Sequence, residues 1–123
     1  GFIEDLAQAY AACAFTVAPI FEGGGTHVKV LESLYYGRLP VVTRYALRGY
    51  EDSLRHGESI YVAASGNELI RGCLDLLRNP LVVADLAGRG QAVVRGKYSF
   101  DRIRRVVEET VQDALQHGPV RRR

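Results

Sequence analysis

"FEGGGTHVKVLES", Phe21 to Ser33, sets three consecutive glycines between an apolar segment and a stretch with helical periodicity. The segment before it, Ala14 to Ile20, "AFTVAPI", is a short β-rich apolar run of the kind that forms a buried strand. The segment after it, Thr26 to Tyr36, carries Val28, Val30, Leu31, Leu34, Tyr35 and Tyr36. It is apolar nearly all round, as in a helix that is mostly buried, and Gly37 is placed to stop it. A second short strand, "PVVT", runs from Pro40 to Thr43 and opens on a proline, which the first residue of a strand tolerates. Two short strands joined through a helix imply a parallel pair with a right-handed crossover. The glycine stretch therefore predicts an α/β fold.

The rest of the chain extends that pattern in both directions. Leu6, Ala9, Tyr10 and Cys13 recur at three-four spacing, which predicts a helix over Glu4 to Ala12. Arg44 to Gly57 is polar and irregular, with a helical turn at Tyr50 to Leu54, and Ser59 to Ala63 reads as a third strand. Ser65 and Glu68 form a capping box for a helix whose apolar face is Leu69, Ile70, Cys73, Leu74 and Leu77, ending before Asn79. Pro80 suits the first turn of the next helix, to about Lys97. Ser99 caps a last one, with Ile103, Val106, Val107, Thr110, Val111, Ala114 and Leu115 as its stripe. The predicted order is helix, strand, helix, strand, strand and three helices. It describes an α/β layer with about three parallel strands and flanking helices.

Composition bounds the function classes. The chain has 123 residues and 47% hydrophobic content, the content of one ordinary globular domain or a piece of one. It opens at Gly1 and contains no methionine, which predicts a segment of a longer protein. Arg121, Arg122 and Arg123 supply three of sixteen Lys and Arg residues, against fourteen Asp and Glu. The body is thus near neutral, residues 117–123 form a basic tail, and nucleic acid is not an expected partner. Cys13 and Cys73 stand apart without metal-ligand spacing. No apolar run reaches the roughly 18–20 residues that span a bilayer, and no signal peptide is visible. The two cysteines in apolar surroundings fit a reduced, cytoplasmic setting, with peripheral association at a membrane left open.

A strand, a glycine turn and a helix start together make an anion site. The first helical amides lack intrahelical partners, and the helix dipole adds about half a positive charge there. Gly24 and Gly25 would let the backbone approach a diphosphate without Cβ contacts, and Thr26 can cap the helix or offer its hydroxyl. Lys29, one turn in, can reach back to the same anion. Gly25 is followed by Thr26, His27, Val28 and Lys29, which does not fit the P-loop pattern, and Val28 stands where the dinucleotide fingerprint needs a glycine. The alternative is a plain turn whose helix Thr26 caps. Glu32 is the second oddity, a carboxylate in an apolar helix that needs a partner. Either it pairs with Lys29 across one turn, or it accepts hydrogen bonds from vicinal hydroxyls such as those of a ribose. His27, His56 and His117 are isolated. Arg44, Tyr45 and Arg48 follow the second strand, where they face a ligand or solvent. Arg102, Arg104, Arg105, Glu108 and Glu109 read as a solvated face. The sequence contains no nucleophile triad, no metal cluster and no cofactor motif.

The run from Gly1 to Thr43 resembles the donor-binding half of the group 1 glycosyltransferases, of GT-B architecture and family 4 type. The resemblance extends to "HGESIYVA", His56 to Ala63, and to "KYSFDR", Lys97 to Arg102. It implies two Rossmann-like domains facing across a cleft. The C-terminal one binds a UDP- or GDP-linked sugar and the other brings the acceptor, which is a glycan, a lipid or a small molecule. It implies hexosyl transfer with retention and without a metal held by an Asp-x-Asp motif, which this sequence lacks. Glu32 matches the glutamate that holds the donor ribose. Gly24, Gly25 and Thr26 match the turn lying against the diphosphate, with Lys29 as a helper there. Many members carry a further glutamate eight positions earlier, which falls here on Gly24. Glu22 lies two residues out of register and is the remaining candidate for contact with the donor sugar. In the strand order 3-2-1-4-5-6 of such domains the present strands resemble 4, 5 and 6, so the resemblance implies a partial Rossmann-like, three-layer domain. Residues 1–116 would then be the C-terminal part of the donor domain. The missing strands and the N-terminal domain would lie elsewhere in the same polypeptide, this segment alone would be inactive, and the strand at Phe15 to Ala18 would expose a pairing edge. The rival readings are a non-catalytic interaction module and a sugar-nucleotide epimerase or phosphorylase on the same scaffold.

Overall fold

The computed structural model describes residues 2–23, 28–98 and 100–117. Its elements follow the predicted order: α1 (Phe2–Ala11), β1 (Phe15–Ala18), α2 (Val28–Tyr35), β2 (Leu39–Thr43), β3 (Tyr61–Ala63), α3 (Gly66–Leu77), α4 (Pro80–Lys97) and α5 (Phe100–His117). The three strands form one parallel sheet in the order β1-β2-β3, with Phe15 opposite Leu39 and Val41 opposite Tyr61. β1 and β3 are shorter than the apolar runs around them. The third run is interrupted ahead of β3, where His56 bridges Ile60 in isolation. Pro40 is the second residue of the central strand, ahead of the first β2–β3 pair, so no ladder bond to β3 is lost there.

β2 is buried along its whole length, and its side chains alternate between the two faces of the sheet. Leu39 and Val41 join a core with Ala63, Leu69, Leu76, Val83, Leu86 and Ala87. Val42 belongs to the opposite core, with Val30, Leu31 and Leu34 of α2, Leu47, Tyr50 and Leu54 of the β2–β3 connection, and Ile60. The result is a three-layer arrangement with α3 on one face and α2 on the other. The helical turn at Tyr50 to Leu54 forms as predicted, with the Leu54 amide on the Tyr50 carbonyl at 2.9 Å.

α4 contributes to both cores, Val83, Leu86 and Ala87 to one and Val94 to the other. It passes from one face to the other at the rim where the strands begin. Gly90 makes the passage possible: a Cβ there would stand 2.4 Å from the Ser59 carbonyl and 2.5 Å from Leu34 Cδ2. Gln91 Nε2, from the next residue, and Arg95 Nη2, from the turn after it, donate to the Tyr35 carbonyl at 3.2 and 3.4 Å, closing the end of α2. Gly37, at φ +76°, stops α2 as expected. Its amide reaches the Leu34 carbonyl and the Arg38 amide reaches that of Ser33, each at 2.9 Å, in the pattern of a left-handed helix cap.

α3 departs from the expected face. The Ser65 hydroxyl does cap it, accepting from the Glu68 amide at 3.2 Å. The residues turned inward are Leu69, Gly72 and Leu76, with Cys73 packed at the edge of the core. Ile70, Leu74 and Leu77 are exposed, as are Leu81 and Val82 of α4. The helix is rotated toward its glycine because the Tyr61 ring lies over Gly72, where a Cβ would come within 2.5 Å of Cε1. Ser99 lies outside the described residues, as do the side chains of the predicted α5 stripe.

Gly90→Ala is expected to destabilise the chain by about 1–3 kcal/mol, the usual cost of overpacking a filled core. Gly88→Ala serves as its control, since a Cβ there meets nothing within 4 Å. That substitution should gain about 0.5–1 kcal/mol from helix propensity. Urea unfolding of the two variants beside the parent decides it; equal stabilities would show that α4 does not cross against Ser59.

Candidate functional site

The site is built on the rotation of α2 about its own axis. Ser33 Oγ donates to the Arg38 carbonyl at 2.8 Å and lies 2.6 Å from Thr16 Oγ1 of β1. A serine hydroxyl has one proton, so Thr16 is the donor in the second contact. This relay ties the middle of α2 to β1 and to the start of β2, while Val30, Leu31 and Leu34 face the core. Glu32, the neighbour of Ser33, is thereby turned sideways toward α1.

There Glu32 meets Tyr10. The Tyr10 hydroxyl donates to Glu32 Oε1 at 2.5 Å. The Tyr10 ring stacks on Tyr36, one helical turn beyond Glu32, with centroids 5.0 Å apart and planes 11° from parallel. Glu32 is only 3% exposed, and no ion pair to it occurs among the described residues. Burial, then the hydrogen bond to Glu32, pushes the Tyr10 phenol well above its ordinary pKa of 10.0. Burial and the Glu32 charge push Tyr36 the same way.

Arg38 holds α1 in place for this contact. Its Nε donates to the Tyr10 carbonyl at 2.7 Å and its Nη2 to the Ala11 carbonyl at 3.2 Å. The last turn of α1 contains no basic residue of its own. The guanidinium therefore supplies both the missing hydrogen bonds and the cation that a helix C-terminus favours.

The predicted site residues fall as follows. Glu32 lies one turn into α2, which begins at the rim where the strands end. Lys29 is exposed in the first turn of α2, and Tyr10 takes the place at Glu32 that a Lys29 pair would have held. Glu22 is exposed and followed by Gly23 at φ +117°. Gly24, Gly25, Thr26 and His27 lie outside the described residues. The approach to them is fixed by Thr43, whose hydroxyl donates to the Ile20 carbonyl and accepts the Ala46 amide at 3.1 Å. That one side chain joins the segment leaving β1 to the turn leaving β2.

Arg44 lines an open pocket of about 350 Å³ at the same rim, with His56 and Glu68. His56 Nδ1 is engaged by the Val62 amide at 2.9 Å. The Arg48 guanidinium stacks 4.0 Å over the Tyr45 ring. Cys13 and Cys73 are free and half-buried, and burial raises the Cys73 thiol above its ordinary pKa. Among the described residues no cluster of His, Cys, Asp or Glu could hold a metal ion, and no helix is long and apolar enough to cross a membrane.

Two residues at the site escape the sequence reading. Tyr10 reads there as one apolar position of a short helix, and nothing in the chain marks a contact 22 residues away. Arg38 follows a glycine stop, a weak sign of a cation near a helix end, but the end it serves belongs to another helix.

Residues 1–79 match the family model described as glycosyl transferases group 1. The match takes in α1 through α3 and therefore the whole of the Tyr10–Glu32 site. No curated protein matches the chain.

The Tyr10 contact has an alkaline consequence. Its folded pKa lies above the unfolded one, so its contribution is complete below pH 10 and is lost as pH rises beyond that. Unfolding free energy should fall more steeply above pH 10 in the parent than in Tyr10→Phe. Identical slopes in denaturant titrations of both would remove the phenol from the chain's alkaline behaviour.

Proposed function

Because the chain belongs to the group 1 glycosyl transferases, we propose that it is the C-terminal part of a donor-binding domain, acting on a UDP- or GDP-linked sugar. The observation that carries this is Glu32: a buried carboxylate, one turn from the start of α2, with a phenol rather than a cation as its partner. A buried acid without an ion pair is a cost that core packing alone does not require. A carboxylate has about four acceptor sites, and Tyr10 uses one, so capacity remains for two vicinal ribose hydroxyls.

In this reading Gly24, Gly25 and Thr26 bind the diphosphate, and Lys29, exposed in the first turn of α2, reaches the same anion. The chemistry asked of these groups is electrostatic. The leaving diphosphate gains charge as the glycosidic bond breaks, and fixed amides and a cation stabilise it. Glu32 orients the donor and takes no part in bond making. Hexosyl transfer proceeds without a protein-bound metal and with retention, and Glu22 is the candidate for contact with the donor sugar. The acceptor, a glycan, lipid or small molecule, is brought by a further domain of the same polypeptide. The setting is cytoplasmic or at the membrane surface. The remaining strands of the sheet pair with the open edge of β1, where Val17 is 45% exposed, so this segment alone is inactive.

The test uses the full-length protein. UDP or GDP should raise its melting temperature. Charge-assisted hydrogen bonds contribute about 1.5–3 kcal/mol each, so Glu32→Ala should lower donor use by about 10- to 100-fold. Glu32→Gln, which keeps the volume, should show the same loss in a folded protein. Unchanged donor dependence in both variants would remove Glu32 from the donor site. No thermal response to either nucleotide would favour an interaction module that keeps the fold and uses the Tyr10–Glu32 contact only as a strut.

A further inference from the structure

We infer that Tyr10 is a positioning residue for the donor ribose: it presets the Glu32 carboxylate by holding one of its oxygens from outside the nucleotide site. The inference rests on the donor-site reading above and adds to it a residue from a different element. The end of a glutamate side chain turns about a broad, nearly two-fold torsion, so a carboxylate at the edge of a site has no intrinsic orientation. Here that freedom is removed. The 2.5 Å contact binds Oε1 to a phenol, and the phenol is itself held at three points. Its ring lies flat on Tyr36, its backbone carbonyl accepts from Arg38 Nε, and the next carbonyl accepts from Arg38 Nη2. Tyr36 and Arg38 flank the glycine stop of α2. The helix that carries Glu32 is thus continuous with the groups that fix its partner.

The direction of the contact is also chemically specific. Tyr10 stays a donor throughout the ordinary pH range, because burial and the carboxylate both oppose its ionisation. A phenol that donates to Oε1 leaves Oε2, and the second lone pair of Oε1, for hydroxyls that also donate. A cation at the same place would satisfy the carboxylate more completely and compete with the ligand. An orientation prepared before binding lowers the ordering cost that binding must otherwise meet.

A structural role alone would weaken all ligands equally, so the readout is discrimination at the ribose. The full-length protein is titrated calorimetrically with UDP and GDP, and with their 2′-deoxy counterparts, at a temperature where every variant is folded. In the parent, loss of the 2′-hydroxyl should weaken the nucleotide that binds by about tenfold, the range of one charge-assisted hydrogen bond. In Tyr10→Phe, which keeps the ring on Tyr36, that ratio should fall to about threefold or less while the deoxynucleotide binds nearly as before. Glu32→Gln should abolish the ratio, and Tyr10→Phe added to it should change nothing further. A ratio unchanged in Tyr10→Phe but lost in Glu32→Gln overturns the positioning role and leaves the donor reading standing. Equal weakening of both nucleotides in Tyr10→Phe, or an added effect in the double variant, also overturns it. A ratio that survives Glu32→Gln, or binding of neither UDP nor GDP to the parent, overturns the donor reading and this inference with it.

Discussion

The rotational setting of one eight-residue helix governs the site. α2 must bury Val30, Leu31 and Leu34 against the sheet, and that requirement leaves its remaining faces few choices. The Thr16–Ser33–Arg38 relay then pins the helix along β1 and at the start of β2. With position 33 turned to the sheet and position 34 to the core, position 32 has to point sideways, toward α1. The Tyr10–Glu32 contact is a consequence of those hydrophobic and polar demands acting together. Each end of α2 has its own constraint: the segment entering it is tied through Ile20 to Thr43, and the segment leaving it is capped through Gly37.

α4 makes this arrangement rigid from below. It supplies Val83, Leu86 and Ala87 to one core and Val94 to the other, so neither face of the sheet can shift without it. Its closest approach is at Gly90, against the Ser59 carbonyl and Leu34. The adjacent Gln91 and, a turn later, Arg95 reach the Tyr35 carbonyl at the end of α2. The Arg95 guanidinium also stands 5.0 Å from the Tyr35 ring centroid, in the range of a cation–π contact. In open α/β sheets ligands bind beyond the carboxyl ends of the strands, and this bracing lies at the other rim.

The aliphatic side chains on α3 and the first turn of α4 have a different status. Ile70, Leu74 and Leu77 share one exposed face of α3, and Leu81, in the first turn of α4, is 85% exposed. They are exposed because the helix turns its smallest residue, Gly72, to the sheet to admit the Tyr61 ring. A hydrophobic stripe wider than one helical face must leave part of itself outside, and close backbone approach selects which part.

The amino-acid sequence by itself determined the fold class, the order of the eight elements among the described residues and the parallel sense of the strands. These follow from local signals: short apolar runs, the glycine stop at Gly37, the serine cap at Ser65 and the proline that opens α4. It also singled out Glu32, since an acid inside an apolar helix is anomalous wherever the helix packs. What only the tertiary structure decided is what that acid touches. Periodicity places Tyr10 on a helix face but is silent on which helix it meets, and the spacing of Glu32 and Lys29 suggested a pair that Tyr10 displaced. The inward face of α3 differs from the periodic expectation for the same reason. A helical repeat defines an apolar stripe to within one position, and the choice within it rests with a ring on a neighbouring strand. Contacts between residues distant in the chain depend on the rotation of each helix against the sheet, which is settled by the packing of the whole core.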